Sequence, residues 1–125
     1  MLNTSQEEMI QILAHAGSEA LNQVYHYGVS EPGSFGYMAN LNVAKNVFQA
    51  LLHNDYDIEH LSHISHDSWG EIALTFEDPI YLSQPEKKAR QIILAVTPYK
   101  DLLEAAKEKD RVQARAMLEE YLKHI

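Results

Sequence analysis

Cysteine is absent from this 125-residue chain, which excludes a disulfide framework, a thiolate metal site and a cysteine nucleophile. Apolar runs are short. None approaches the roughly 20 residues that span a bilayer, and no charged-then-apolar signal segment opens the chain. The expectation from these absences is a cytoplasmic protein with no membrane partner. Basic residues are scarce where the chain begins. Residues 1–84 hold eleven acids against a single base, Lys45, a net charge of −10, whereas residues 85–125 hold seven acids against nine bases, net +2. Phosphate backbones are bound by clustered Lys and Arg that displace counterions, so the acidic segment argues against a nucleic-acid partner. Its asymmetry fits two uses: offsetting self-repulsion by packing basic helices beside it, or docking a basic protein.

With 46% hydrophobic and 22% charged residues, what remains has the composition of a globular chain, and its length suits one domain, 1–125. Helical periodicity dominates the reading. Thr4 and Glu7 have capping-box spacing, and Met9, Ile12/Leu13, Ala16, Ala20/Leu21 and Val24 recur at intervals of three and four residues. Gly28 to Gly36 contains three of the five glycines and Pro32, which marks a loop. A second helix is expected from about Tyr37 to His53, with Leu41, Ala44, Phe48 and Leu51 on its apolar face. Asp57 is a candidate cap for a short helix carrying Ile58, Leu61 and Ile64, and Asp67 or Ser68 for another through Phe76. One short strand at 72–76 is the rival reading, because Ile72, Leu74 and Phe76 alternate. Asp78-Pro79 ends that element.

Ser83 with Pro85 opens a further helix, and Thr97-Pro98 breaks it. A new helix from Pro98 to Lys109 and a last one capped by Asp110 with Gln113 would form a closing helical hairpin. The expected fold is therefore an all-α bundle of six to seven helices.

Two clusters are candidates for function. Six of the seven histidines lie in the acidic segment, and His60-Leu61-Ser62-His63-Ile64-Ser65-His66-Asp67 concentrates three of them. Residues three or four apart share a helix face, so His60, His63 and Asp67 are candidate ligands for a divalent transition metal. The adjacent pair His66-Asp67 also resembles the motif of the HD phosphohydrolases, in which His53 or His26 would stand for the separate histidine and Asp101 for the later aspartate. That resemblance implies a small metal-dependent hydrolase. The second cluster is aromatic. Tyr25, Tyr27, Phe35 and Tyr37 flank the glycine-rich loop, where amphipathic rings suit an interface. No nucleophile elbow or phosphate-cradling loop is present, and no catalytic residue is assigned.

Glu7, Glu8 and His15 on the opening helix, the run Phe76-Glu77-Asp78-Pro79-Ile80-Tyr81 and the Lys109-Asp110 step together resemble the helical C-terminal dimerisation domain of prephenate dehydrogenases. The nucleotide-binding domain of that family is missing, and the first 84 residues offer no arginine for a substrate carboxylate. The resemblance thus implies a dimerising helical module without activity of its own. The favoured expectation is a protein-binding or self-associating module that needs no cofactor, of which an immunity-type binder of a basic protein is one form.

Overall fold

In the computed structural model, described over residues 4–28, 30–77 and 82–125, regular structure consists of five α-helices and one short 3-10 turn. These are α1 (Gln6–Tyr25), α2 (Phe35–Leu52), α3 (Ile58–Thr75), α4 (Pro85–Val96), the turn Tyr99–Asp101 and α5 (Glu104–Leu122). The all-α expectation holds among the described residues. Three finer expectations are corrected. The two short helices expected between Asp57 and Phe76 are one continuous α3, so there is no break at Asp67 and no strand at 72–76. The closing hairpin does not exist: α5 runs through Asp110 without interruption. Neither Lys109 nor Asp110 forces a helix to stop, and an aspartate can sit mid-helix when its side chain has somewhere to go. These two mergers bring the helix count below six. The expected Asp78-Pro79 terminator and the Ile80-Tyr81 step lie outside the described residues.

Caps set the helix boundaries. The Ser5 hydroxyl accepts from the Glu8 backbone N–H, one residue later than the Thr4–Glu7 pairing suggests. Ser34 caps α2 through the Tyr37 N–H, and Asp57 caps α3 through the His60 N–H, as its position implies. At the other end of α1, His26 takes the left-handed conformation and its N–H bonds the Asn22 carbonyl, two residues ahead of the glycine expected to stop the helix.

Helices α1, α2, α3 and α5 close into a ring, with α1 against α2 and α5, and α3 against α2 and α5. Met9 and Leu13 from α1, Val43, Val47, Phe48 and Leu51 from α2, Leu61 from α3 and Met117 from α5 fill its centre. Phe48 is fully enclosed and meets the Tyr121 ring edge-on at 6.2 Å. Gly17 permits the close approach of α1 to α5, since a Cβ there would lie 2.7 Å from Met117 Cε.

The face of α3 is less apolar than the others. Ser62, Ser65, His66 and Ser68 are buried on it, and burying such groups costs free energy unless each finds a partner. Ser62 and Ser68 donate back to the carbonyls of Ile58 and Ile64. Ser65 donates to Gln113 Oε1 on α5, whose Nε2 donates in turn to Asn40 on α2. Asn46 reaches across from α2 to Ser68. These bonds fix three helices against one another at the level where the core stops being apolar.

Helix α4 stands outside the ring. It packs on α3 and contributes no buried residue. Gly70 allows the contact, because a Cβ there would meet the Ala95 carbonyl at 3.2 Å. Lys88 holds the other end, donating to the carbonyls of Ala73 and Phe76 at the close of α3, where a cation also complements the helix dipole. The following turn is tied down by Tyr99, whose hydroxyl donates to Glu59 Oε2 at 2.5 Å. Arg111 donates to Glu59 and to Glu104. Burial, together with the bond to Glu59, pushes the Tyr99 phenol up to about 12, while Arg111 and then Tyr99 hold Glu59 below the ordinary carboxylate range.

A cavity at the open end of the ring

Helix α4 packs chiefly on α3, and one end of the ring is not filled by side chains. A cavity of about 650 Å³ lies there, between the last turns of α1, the first turns of α2 and α5, the second half of α3 and the inner face of α4. Pockets of about 300–1,000 Å³ with apolar walls and a few placed polar groups are the usual form of small-molecule sites. Phe35 and Trp69 form one wall, ring edge to ring face with centroids 6.1 Å apart. Leu94 and Leu102 face them from α4 and the turn. No helix among the described residues is long and apolar enough to cross a membrane.

The polar groups sit on the inner side. His66 and Asp110 both line the cavity, and their side chains are only 6% and 15% exposed. His66 Nε2 lies 2.7 Å from the Thr97 carbonyl. A carbonyl only accepts, so Nε2 carries a proton. In the neutral ring, Nδ1 then presents a lone pair toward Asp110 Oδ2, 3.8 Å away, too far for a hydrogen bond. Burial, reinforced by the nearby Asp67 charge and only partly offset by Lys109, pushes the Asp110 carboxyl up to about 7. Asp110 is thus a carboxylic acid that keeps its proton well above the ordinary carboxylate range. Such a group is a hydrogen-bond donor inside a site.

Three cations complete the lining: Lys87 and Arg90 from α4, and Lys109 from α5. The Lys109 ammonium lies over the rings of Tyr25 and Tyr27, at 5.3 and 5.6 Å, and those rings stack on each other with centroids 5.7 Å apart. Of the aromatic residues singled out from the sequence, Tyr27 and Phe35 line the cavity. Tyr25 is brought in behind Tyr27, and Tyr37 is half-buried one turn along α2 and takes no part in the lining.

The histidine cluster is dispersed rather than gathered. His60 pairs with Asp55, His63 with Asp67 at 3.1 Å, and His66 faces Asp110. Each imidazole has a different carboxylate, and no group of three or more such side chains is placed to hold a metal ion among the described residues. The adjacent pair His66-Asp67 also diverges, as neighbours on a helix do: His66 is buried in the cavity wall and Asp67 is exposed on the outer surface. Asp101 lies exposed in the 3-10 turn, and His53 is exposed beside the Gln49 carbonyl. Compared with known protein families, curated proteins and solved structures, the chain matches none.

Proposed function

We propose that this chain is a binding module that takes a small organic molecule into the cavity at the open end of its helical ring. The observation that carries the reading is the juxtaposition of the Phe35–Trp69 wall with the buried pair His66 and Asp110 in one space of about 650 Å³. Apolar walls supply binding free energy and a few enclosed polar groups supply orientation. Trp69 is the chain's single tryptophan, so its emission reports occupancy of the site directly.

The test uses a cavity-filling variant. Ala106 is half-buried and lines the cavity, so Ala106→Trp puts an indole into the space without removing any core side chain. A ligand-observed NMR screen of untagged protein against small organic fragments is expected to give saturable hits that Ala106→Trp abolishes, with its melting curve still cooperative. A screen whose hits are the same for both proteins, or that yields none, would refute the reading.

A second reading, association with another copy of the chain, is favoured by a separate observation. Ile93 and Val96 on α4 and Leu74 on α3 are 64%, 61% and 52% exposed. Two-fold pairing places one such patch on its own copy and needs no second surface, and the resemblance to a dimerisation domain points the same way. Light scattering is expected to give a dimer mass that Ile93→Glu reduces to a monomer. A monomer mass for the unaltered protein at high concentration ends this reading and leaves the cavity reading untouched.

A further inference from the structure

Charge distribution around the cavity is the reverse of that in the whole chain. The sequence carries eighteen acids and ten Lys and Arg, yet the described cavity lining holds Lys87, Arg90 and Lys109 with Asp110 as its only acid. That acid keeps its proton to about pH 7, so below that pH the lining has three cations and no anion. The cations come from two elements. Lys87 and Arg90 are one turn apart on α4 and Lys109 is on α5; all three line the cavity with their side chains exposed to solvent. The lining is also aromatic, with Phe35 and Trp69 at 6.1 Å.

We infer that the ligand is a small aromatic carboxylate, its ring seated against Phe35 and Trp69 and its carboxylate held among Lys87, Arg90 and Lys109. This deepens the cavity reading and rests on it. Three features favour that chemistry over its competitors. A guanidinium and two ammonium groups on separate elements give a carboxylate charge-assisted hydrogen bonds. A cationic ligand would meet the same groups with repulsion. A sugar or other polyol could use the Asn40, Gln91 and Gln113 amides of the lining but would leave the Phe35, Trp69, Leu94 and Leu102 surfaces without an apolar partner. The protonated Asp110 then offers a donor to a polar substituent on the ring, while the acid group itself stays with the cations.

The test compares three probes of one shape: 3-phenylpropanoate, 3-phenylpropanol and 3-phenylpropylamine, titrated at pH 6.5 with Trp69 emission and calorimetry as readouts. The carboxylate is expected to bind about tenfold or more tighter than the alcohol, the margin of one ordinary charge-assisted contact, and the amine weakest. Replacing Arg90 and Lys109 together with glutamine is expected to remove that margin while leaving the affinity for the alcohol and the melting temperature in place. Carboxylate and alcohol binding equally, with both lost in Ala106→Trp, overturns the anion assignment and leaves the cavity reading standing. The amine binding tightest does the same. If none of the three binds, fragment hits that are sensitive to Ala106→Trp but uncharged or cationic overturn the anion alone. An absence of any such hits removes both.

Discussion

Replacing Asp110 with asparagine is expected to stabilise the protein above pH 7 and to change it little near pH 4. In the unfolded chain an aspartate ionises near 4, whereas in the fold burial and the Asp67 charge hold the Asp110 carboxyl up to about 7. Between those two values the folded state binds a proton that the unfolded state has already released. Stability therefore falls as pH rises through this window, and the full cost is present above about 7. Three pH units correspond to a ceiling of about 4 kcal/mol, on a side chain that is 15% exposed. Asparagine keeps the shape without the ionisation. Glu59 and Glu104 run the other way: both sit below the ordinary carboxylate range, held there chiefly by Arg111. Their contribution is present at neutral pH and is lost as pH falls through their lowered values, equally in both proteins. Urea unfolding at pH 5 and pH 8.5 separates the terms, because the difference between wild type and Asp110→Asn should widen at the higher pH. Curves that stay parallel, or an asparagine variant uniformly less stable, would mean that the fold does not hold the Asp110 carboxyl above its unfolded-state value.

The same residue shows where the sequence can and cannot be read. Periodicity and caps located α1, α2, α4 and the start of α3 to within a few residues, because Met9–Leu13, Ala44–Phe48–Leu51 and Leu61–Ile64 share one face each and Asp57, Pro85 and Thr97-Pro98 punctuate by local chemistry. Local chemistry also misled. An aspartate three residues before a glutamine reads as a cap and predicts a helix start at Asp110, where α5 instead runs on. A second signal was present: Asp110, Gln113, Ala114, Met117 and Tyr121 are in phase at helical spacing, so the two polar residues lie on the stripe that α5 buries. Polar groups on a core stripe need polar surroundings or a cavity, and here both exist. The aromatic reading reached Tyr27 and Phe35 through their loop, but Trp69 joins Phe35 only through the packing of α3 on α2, and the α4 cations only through the docking of α4 on α3. That docking depends on Gly70 meeting Ala95, a contact between residues far apart in sequence that no spacing rule encodes. The histidine cluster is read only in part. Spacing on one helix put His60, His63 and Asp67 within reach of each other, and His63 does meet Asp67, whereas His60 turns to Asp55 and His66 faces Asp110.

Truncating Phe48 to alanine is expected to cost about 3–5 kcal/mol, the range for a large aromatic side chain removed from a close-packed interior. Phe48 is fully enclosed among Met9, Leu13, Leu61 and Met117 and gives up its edge contact with Tyr121. The loss should not be shared evenly by the five helices. Helix α4 buries no residue and packs chiefly on α3, so its amides are expected to exchange by local opening, at a free energy below that of global unfolding. Native-state hydrogen exchange is expected to show the amides of α1, α2, α3 and α5 losing protection by the full destabilisation, while those of α4 hardly change. Equal loss in α4 would mean that it unfolds only with the ring. The distinction bears on the cavity. A wall that opens without the core unfolding gives a ligand a way in and out, and a bound ligand touching Arg90 and Leu94 should then slow exchange in α4 more than anywhere else in the chain.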